Sequence, residues 1–161
     1  TQRAQVVASV AALGAALEHG DTAGDAVQQL QATGVEVPEP LAQEDLPTLV
    51  QIQLGFDGVA RTALRDSLKA ESRDGGAMTA VGNFLRVQTG ARSVEPREGA
   101  DPDAVLSRAG ALVQQGEIAT ALEELAALPP EGQQAMTNWM AQAKAYLAAE
   151  SALNDVARTL N

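Results

Sequence analysis

Residues 45–76, DLPTLVQIQLGFDGVARTALRDSLKAESRDGG, decide how this chain folds. Leu49, Ile52, Phe56, Val59 and Ala63 recur at spacings of three and four, joined laterally by Ala60 and Leu64. That period belongs to an α-helix with one apolar face, not to a strand. Asp45-Leu46-Pro47 reads as its start, with Pro47 in the first turn where the missing N–H costs nothing. Asp74-Gly75-Gly76 reads as its stop. The pattern thus predicts a helix over 47–73. Gly55 and Gly58 lie inside it, each costing up to about 1 kcal/mol relative to Ala. They either permit close packing or weaken the helix locally.

Working outward, the same period recurs. Val6, Val10, Leu13 and Leu17 predict a first helix over 3–18, with Gly20 suited to the left-handed position beyond its end. Asp21 or Thr22 caps a short second helix with Ala26, Val27 and Leu30 inward, stopped by Gly34. The two prolines of residues 35–40 exclude helix there, and one helical turn is expected at 41–44. Downstream, Met78, Val81, Phe84 and Leu85 predict a helix over 77–88. A polar connector with Gly90, Pro96 and Gly99 follows over 89–101.

Asp101-Pro102 opens the next helix, with Val105, Ala109, Leu112 and Val113 inward and Gly116 at its end. Ile118, Ala121, Leu122 and Leu125 define another over 117–128, stopped by Pro129-Pro130. A last helix is expected over 131–160, roughly 45 Å long. Trp139, Tyr146, Leu153 and Leu160 recur in it every seven residues. A seven-residue repeat that outruns its own domain usually finds a partner helix, so homodimerisation through this stripe is expected; packing on its own domain is the plainer reading. The expectation is an all-α bundle of about six to seven helices, dimeric, with a long C-terminal helix. It divides into a helical region over 1–92, a linker over 93–101 and a second helical domain over 102–161.

Composition agrees with this. Among 161 residues, 32 are Ala against 36 Leu, Val, Ile and Phe together, so the chain is helix-rich with a thin core. Thin cores gain from oligomerisation. No Cys is present, which excludes disulfides and thiolate metal sites. No run of about 18 apolar residues offers a transmembrane helix. The chain begins at Thr1 without initiator Met or signal-type segment, which suggests a piece of a longer protein whose anchor or targeting segment is not included.

Net charge of −10 argues against nucleic acid as a partner. The charge is uneven: residues 61–97 hold Arg61, Arg65, Lys69, Arg73, Arg86, Arg92 and Arg97 against four acids.

Catalysis finds little support. His19 stands alone at a helix end, where interaction with the helix dipole explains it, and a lone His cannot build a metal site. No cofactor is implied. No Ser or Thr is matched to a base. Asp101 and Asp103 begin a helix and serve as cap and dipole partner. Glu123 and Glu124 fall on a polar side, and the sequence gives no sign of a pocket that would push their pKa values apart. Gly75-Gly76 lacks the strand–turn–helix setting of a phosphate loop. An enzyme is not expected.

The surviving constellation is electrostatic. Arg61, Arg65, Lys69 and Arg73 drift along one side of the 47–73 helix, opposite the stripe that includes Ile52, Phe56 and Val59. An apolar face with a basic flank is what lies on an anionic membrane surface, each Lys or Arg contributing ~1 kcal/mol. The plainer reading is a core helix with a solvated face and local pairs such as Arg65 with Asp66 or Glu71.

Three segments in order carry a family resemblance: Val105-Leu106-Ser107-Arg108-Ala109, then residues 115–125 (QGEIATALEEL), then Trp139-Met140-Ala141-Gln142-Ala143-Lys144 leading to Leu153. This order resembles the C-terminal mitofilin domain over about 102–156. Residues 16–21 (ALEHGD), Leu46-Pro47-Thr48-Leu49 and Phe84-Leu85-Arg86-Val87 are loosely similar to the region preceding it in alphaproteobacterial members. The resemblance implies a membrane-organising scaffold of a bacterial inner membrane, its soluble part facing the periplasm. It further implies self-association, partner membrane proteins, and a lipid-binding amphipathic region near 47–73. The strong overall acidity departs from what binding to anionic lipid would favour. A protein-binding adaptor is the alternative: residues 103–128 form a helix–turn–helix superficially like one tetratricopeptide unit.

Overall fold

The computed structural model describes residues 1–20, 23–74 and 99–161, with the side chains of 73 and 74 excluded. The expected 77–88 helix, the Gly75-Gly76 break and nearly all of the connector lie outside the described residues. Among those described there are seven α-helices and no strand: α1 (Gln2–His19), α2 (Ala23–Ala32), α3 (Leu49–Asp74), α4 (Pro102–Gln114), α5 (Ile118–Leu125), α6 (Pro130–Ala135) and α7 (Thr137–Thr159), with a 3-10 turn at Glu39–Leu41. The all-α class is therefore shown.

Two compact units emerge among the described residues, and nearly all of the expected 93–101 linker lies outside those residues. One comprises Thr1–Ile52 with Gln142–Asn161, the other Gln53–Ala141. The boundaries fall inside α3 and α7, so the C-terminal part of α7 groups with the N-terminal helices.

In the first unit, α1 begins where the Thr1 hydroxyl accepts from Ala4 N at 3.4 Å. It ends at Gly20 (φ 95°), whose N–H donates to the Ala16 carbonyl at 2.8 Å. A positive φ favours glycine there. Val6, Leu13, Ala16 and Leu17 are buried on one face of α1, and Ala26, Val27 and Leu30 on α2. The C-terminal part of α7 supplies Tyr146, Leu153 and Val156 to this unit's core. Gly14 packs beside Leu153, where an added Cβ would sit 3.6 Å from Cδ2. The Arg3 guanidinium donates to the Leu160 carbonyl at 2.6 Å.

The start of α3 differs from the Asp45-Leu46-Pro47 expectation. Thr48 is the cap: its hydroxyl accepts from Gln51 N at 3.3 Å, and Gln51 Oε1 accepts from Thr48 N at 3.2 Å. This reciprocal pair satisfies two backbone donors, which Pro47 in a first turn could not do. Pro47 accordingly precedes the helix.

In the second unit, α4 begins as the sequence suggests: Asp101 accepts from Ala104 N at 3.3 Å, and Pro102 follows. α4 and α5 form a hairpin through Gly116 (φ 80°), where Glu117 N donates to Leu112 O at 2.8 Å and Gly116 N to Val113 O at 3.0 Å. Gln53 Nε2 reaches the Val113 carbonyl at 3.1 Å, satisfying an acceptor at the end of α4. Phe56, Ala60, Ala63, Leu64 and Leu68 of α3 are buried, as are Val105, Leu106, Ala109, Ile118, Ala121, Leu125 and Met136. Leu112 and Leu122, expected to face inward, are half-buried.

The single helix expected over 131–160 is broken at Met136. The Met136 N–H donates to Gln133 O at 3.1 Å in 3-10 fashion, and its φ of −99° and ψ of 4° depart from helix. The Thr137 hydroxyl also takes the Gln134 carbonyl at 2.9 Å. Threonine hydroxyls compete with the backbone for such acceptors. The short α6 so produced crosses α3 closely: a Cβ at Gly132 would run into Ser67 Oγ.

The glycines of this unit therefore differ in sign. Gly58 is exposed with nothing within 4 Å of an added Cβ, so Gly58→Ala should stabilise by about 0.5–1 kcal/mol. Gly132→Ala should destabilise by about 1–3 kcal/mol, and by less when Ser67→Ala removes the obstructing hydroxyl. Denaturant melts of the three single variants and the double variant check these signs.

Candidate functional site

α3 carries the residues of interest. Its 26 residues bury one side while Arg61, Arg65 and Lys69 are exposed on the other. Among the described residues none of these three makes an ion pair. The local pairing of Arg65 with Asp66 or Glu71 considered above is absent there. The Arg73 side chain lies outside the described residues.

The apolar residues expected to meet lipid are placed otherwise. Ile52 and Phe56 are fully buried and Val59 is half-buried. Phe56 packs edge-on against Trp139, ring centroids 5.1 Å apart at 70°, a favourable aromatic geometry. Gly55 brings the α3 backbone near the same indole: a Cβ there would sit 3.7 Å from Trp139 Cδ1. As folded, this face meets protein. The physical reason is the scarcity of bulky side chains, which favours spending the large ring of Phe56 on the core.

The heptad stripe of the last helix fares similarly. Trp139, Tyr146 and Leu153 are buried, at 3%, 5% and 8% exposed, and Leu160 is half-buried. Three of the four residues expected to bind a second chain are thus occupied within this one.

Two of the hollows among the described residues lie beside these elements. One, of about 240 Å³, is lined by Asp66, Lys69, Glu131, Gln134 and Ala135. Lys69 therefore has carboxylates near it, whereas Arg61 and Arg65 line neither hollow. The other, of about 190 Å³, is lined by Thr120, Glu123, Glu124 and Ala127. Glu124 also accepts from Arg108 Nε at 3.1 Å, and Arg108 donates to the Gly99 carbonyl at 2.7 Å, which ties the entry of α4 to α5.

His19 Nδ1 lies 3.2 Å from the Ala15 carbonyl at the end of α1. Among the described residues no three His, Asp or Glu side chains cluster as a metal site. No described helix is long and apolar enough to cross a membrane.

Sequence reasoning missed the most exposed large apolar residue of α3. Leu54 is 79% exposed. It falls off the Leu49–Ile52–Phe56–Val59 stripe, and that displacement was the available signal.

No protein-family model, curated protein or solved structure matches the chain.

Tyr146 has a displaced titration equilibrium. Burial, then the carboxylates of Glu150 and Glu18, push its phenol from 10.0 up to about 12. The folded state thus favours the neutral phenol. Its contribution to stability is complete below pH 10 and is lost as pH rises toward 12. Tyr146→Phe should lose less stability than wild type across that window, as thermal melts at stepped alkaline pH would show.

Proposed function

We propose that this chain is a non-catalytic, self-associating scaffold that works at an anionic membrane surface, in the manner of the mitofilin-like proteins it resembles. The observation that carries the reading is the exposed row Arg61, Arg65 and Lys69 in a chain of net charge −10. In an acidic protein such segregation leaves one face able to meet lipid phosphates. The order of segments resembling the mitofilin domain adds support, and the resemblance implies a working surface on the periplasmic side of a bacterial inner membrane. Membrane proteins and further copies of the chain are the implied partners.

Self-association in this reading uses surfaces other than the Trp139–Tyr146–Leu153 stripe, which the fold already covers. The adaptor reading retains one observation in its favour, the closed α4–α5 hairpin around Gly116. An adaptor would bind a peptide and ignore lipid.

Co-sedimentation with vesicles tests the choice. The protein should bind vesicles rich in phosphatidylglycerol, more weakly as salt rises. Changing Arg61, Arg65 and Lys69 to Glu should weaken binding by at least about a hundredfold, since each base contributes ~1 kcal/mol. Equal pelleting of wild type and triple variant would set the membrane reading aside, as would no pelleting of either.

A further inference from the structure

Three large apolar side chains are exposed among the described residues, and Leu54, at 79%, exceeds Val7 at 48% and Val50 at 36%. Singly exposed leucines are ordinary, so its setting decides what it means. Leu54 precedes Arg61 by seven residues and Arg65 by eleven. At 100° per residue the three lie within about 40° of one another on the helix. They span roughly 17 Å along its axis. Gly58 lies between them on the same side and carries no side chain, with nothing within 4 Å of where one would begin. Leu54 therefore stands proud of this face. Asp57, on its flank, already has an interaction partner.

The opposite side of α3 is committed to the core through Phe56, Ala60, Ala63 and Leu64, each fully buried. A helix that inserted that side would have to leave the protein and abandon the Phe56–Trp139 contact. The outer face needs no such opening.

We infer that α3 meets an anionic lipid surface in the folded state and with its outer face, Leu54 entering the headgroup layer while Arg61 and Arg65 hold phosphates. This rests on the membrane reading above and specifies its contact. The occupant follows from charge complementarity: two arginines without ion pairs among the described residues follow one apolar side chain along the same face, which is the pairing an acyl–headgroup boundary accommodates. Lys69, beside Asp66 and Glu131 in its hollow, contributes less.

The chain itself supplies two reporters. It lacks Cys, so Leu54→Cys provides a single attachment point for an environment-sensitive fluorophore, and Thr62→Cys a control on the side of the helix. Trp139 is the only tryptophan and reports whether α3 stays packed. With phosphatidylglycerol vesicles, the label at 54 should shift to the blue more than the label at 62, while Trp139 emission holds still. Leu54→Ala should weaken binding roughly threefold to tenfold, with an unchanged melting temperature.

Trp139 emission moving while the label at 54 does not would mean insertion of the buried side, which overturns this inference and leaves the membrane reading standing. Binding with neither signal moving would be surface electrostatics alone, and equally overturns the role of Leu54. Failure of the unlabelled wild type to bind overturns the inference together with the reading beneath it.

Discussion

The second unit depends on how Phe56 and Trp139 meet. They are two of four aromatic residues in a chain where Ala nearly equals Leu, Val, Ile and Phe combined. Their edge-on contact sits where α3 passes the first turn of α7, with Gly55 admitting the indole against the α3 backbone. Large rings bury more area than any other side chains, and a thin core concentrates its stability in the few it has. Spending Phe56 on a lipid surface would forfeit that burial. The apolar side of α3 is thereby fixed inward, and its outer side, with Leu54, Arg61 and Arg65, is what remains exposed.

Where bulk is lacking, close approach compensates. Gly132 lets α6 pass so near α3 that Ser67 Oγ occupies the space a Cβ would need. That hydroxyl is buried without a hydrogen-bond partner among the described residues. An unpaired buried hydroxyl costs about 1–3 kcal/mol. Dispersion between the closely packed helices offsets part of this cost, since each atom pair gains only about 0.1–0.2 kcal/mol but many pairs form. Ala and Gly at crossings make such proximity possible, so the composition that thins the core also tightens it.

Much of this was legible in the sequence because it is local. The bounds of α1, the Asp101-Pro102 start of α4 and the Gly116 turn follow from caps, prolines and periodicity that act within a few residues. Two local features were nevertheless misjudged. Pro47 drew the start of α3 two residues too early, hiding the Thr48–Gln51 pair that caps it. At Met136 an unbroken apolar period concealed a change in hydrogen bonding that no period records. The uses of the amphipathic faces were harder. Periodicity identified Ile52, Phe56 and Val59 as one side of α3, and Trp139, Tyr146 and Leu153 as one side of α7. It gave no means of telling a core neighbour from a membrane or a second chain, because all three reward the same pattern. Burial in the folded chain separates them.

The acidity of the chain bears on whether a basic face can act at all. Interactions between exposed charges are screened beyond about 8 Å at physiological ionic strength. Successive turns of one helix face lie about 6 Å apart, so Arg61 and Arg65 fall within that range of each other. The total of −10 governs long-range repulsion from an anionic surface and therefore the rate of approach, whereas the bound state is governed by what lies within a screening length of the phosphates. Lys69 differs from the two arginines in its setting: Asp66 and Glu131 line the same hollow. In the proposed membrane reading, segregation along α3, with Leu54 ahead of Arg61 and Arg65 on one exposed face, is what would let an acidic chain meet an acidic surface.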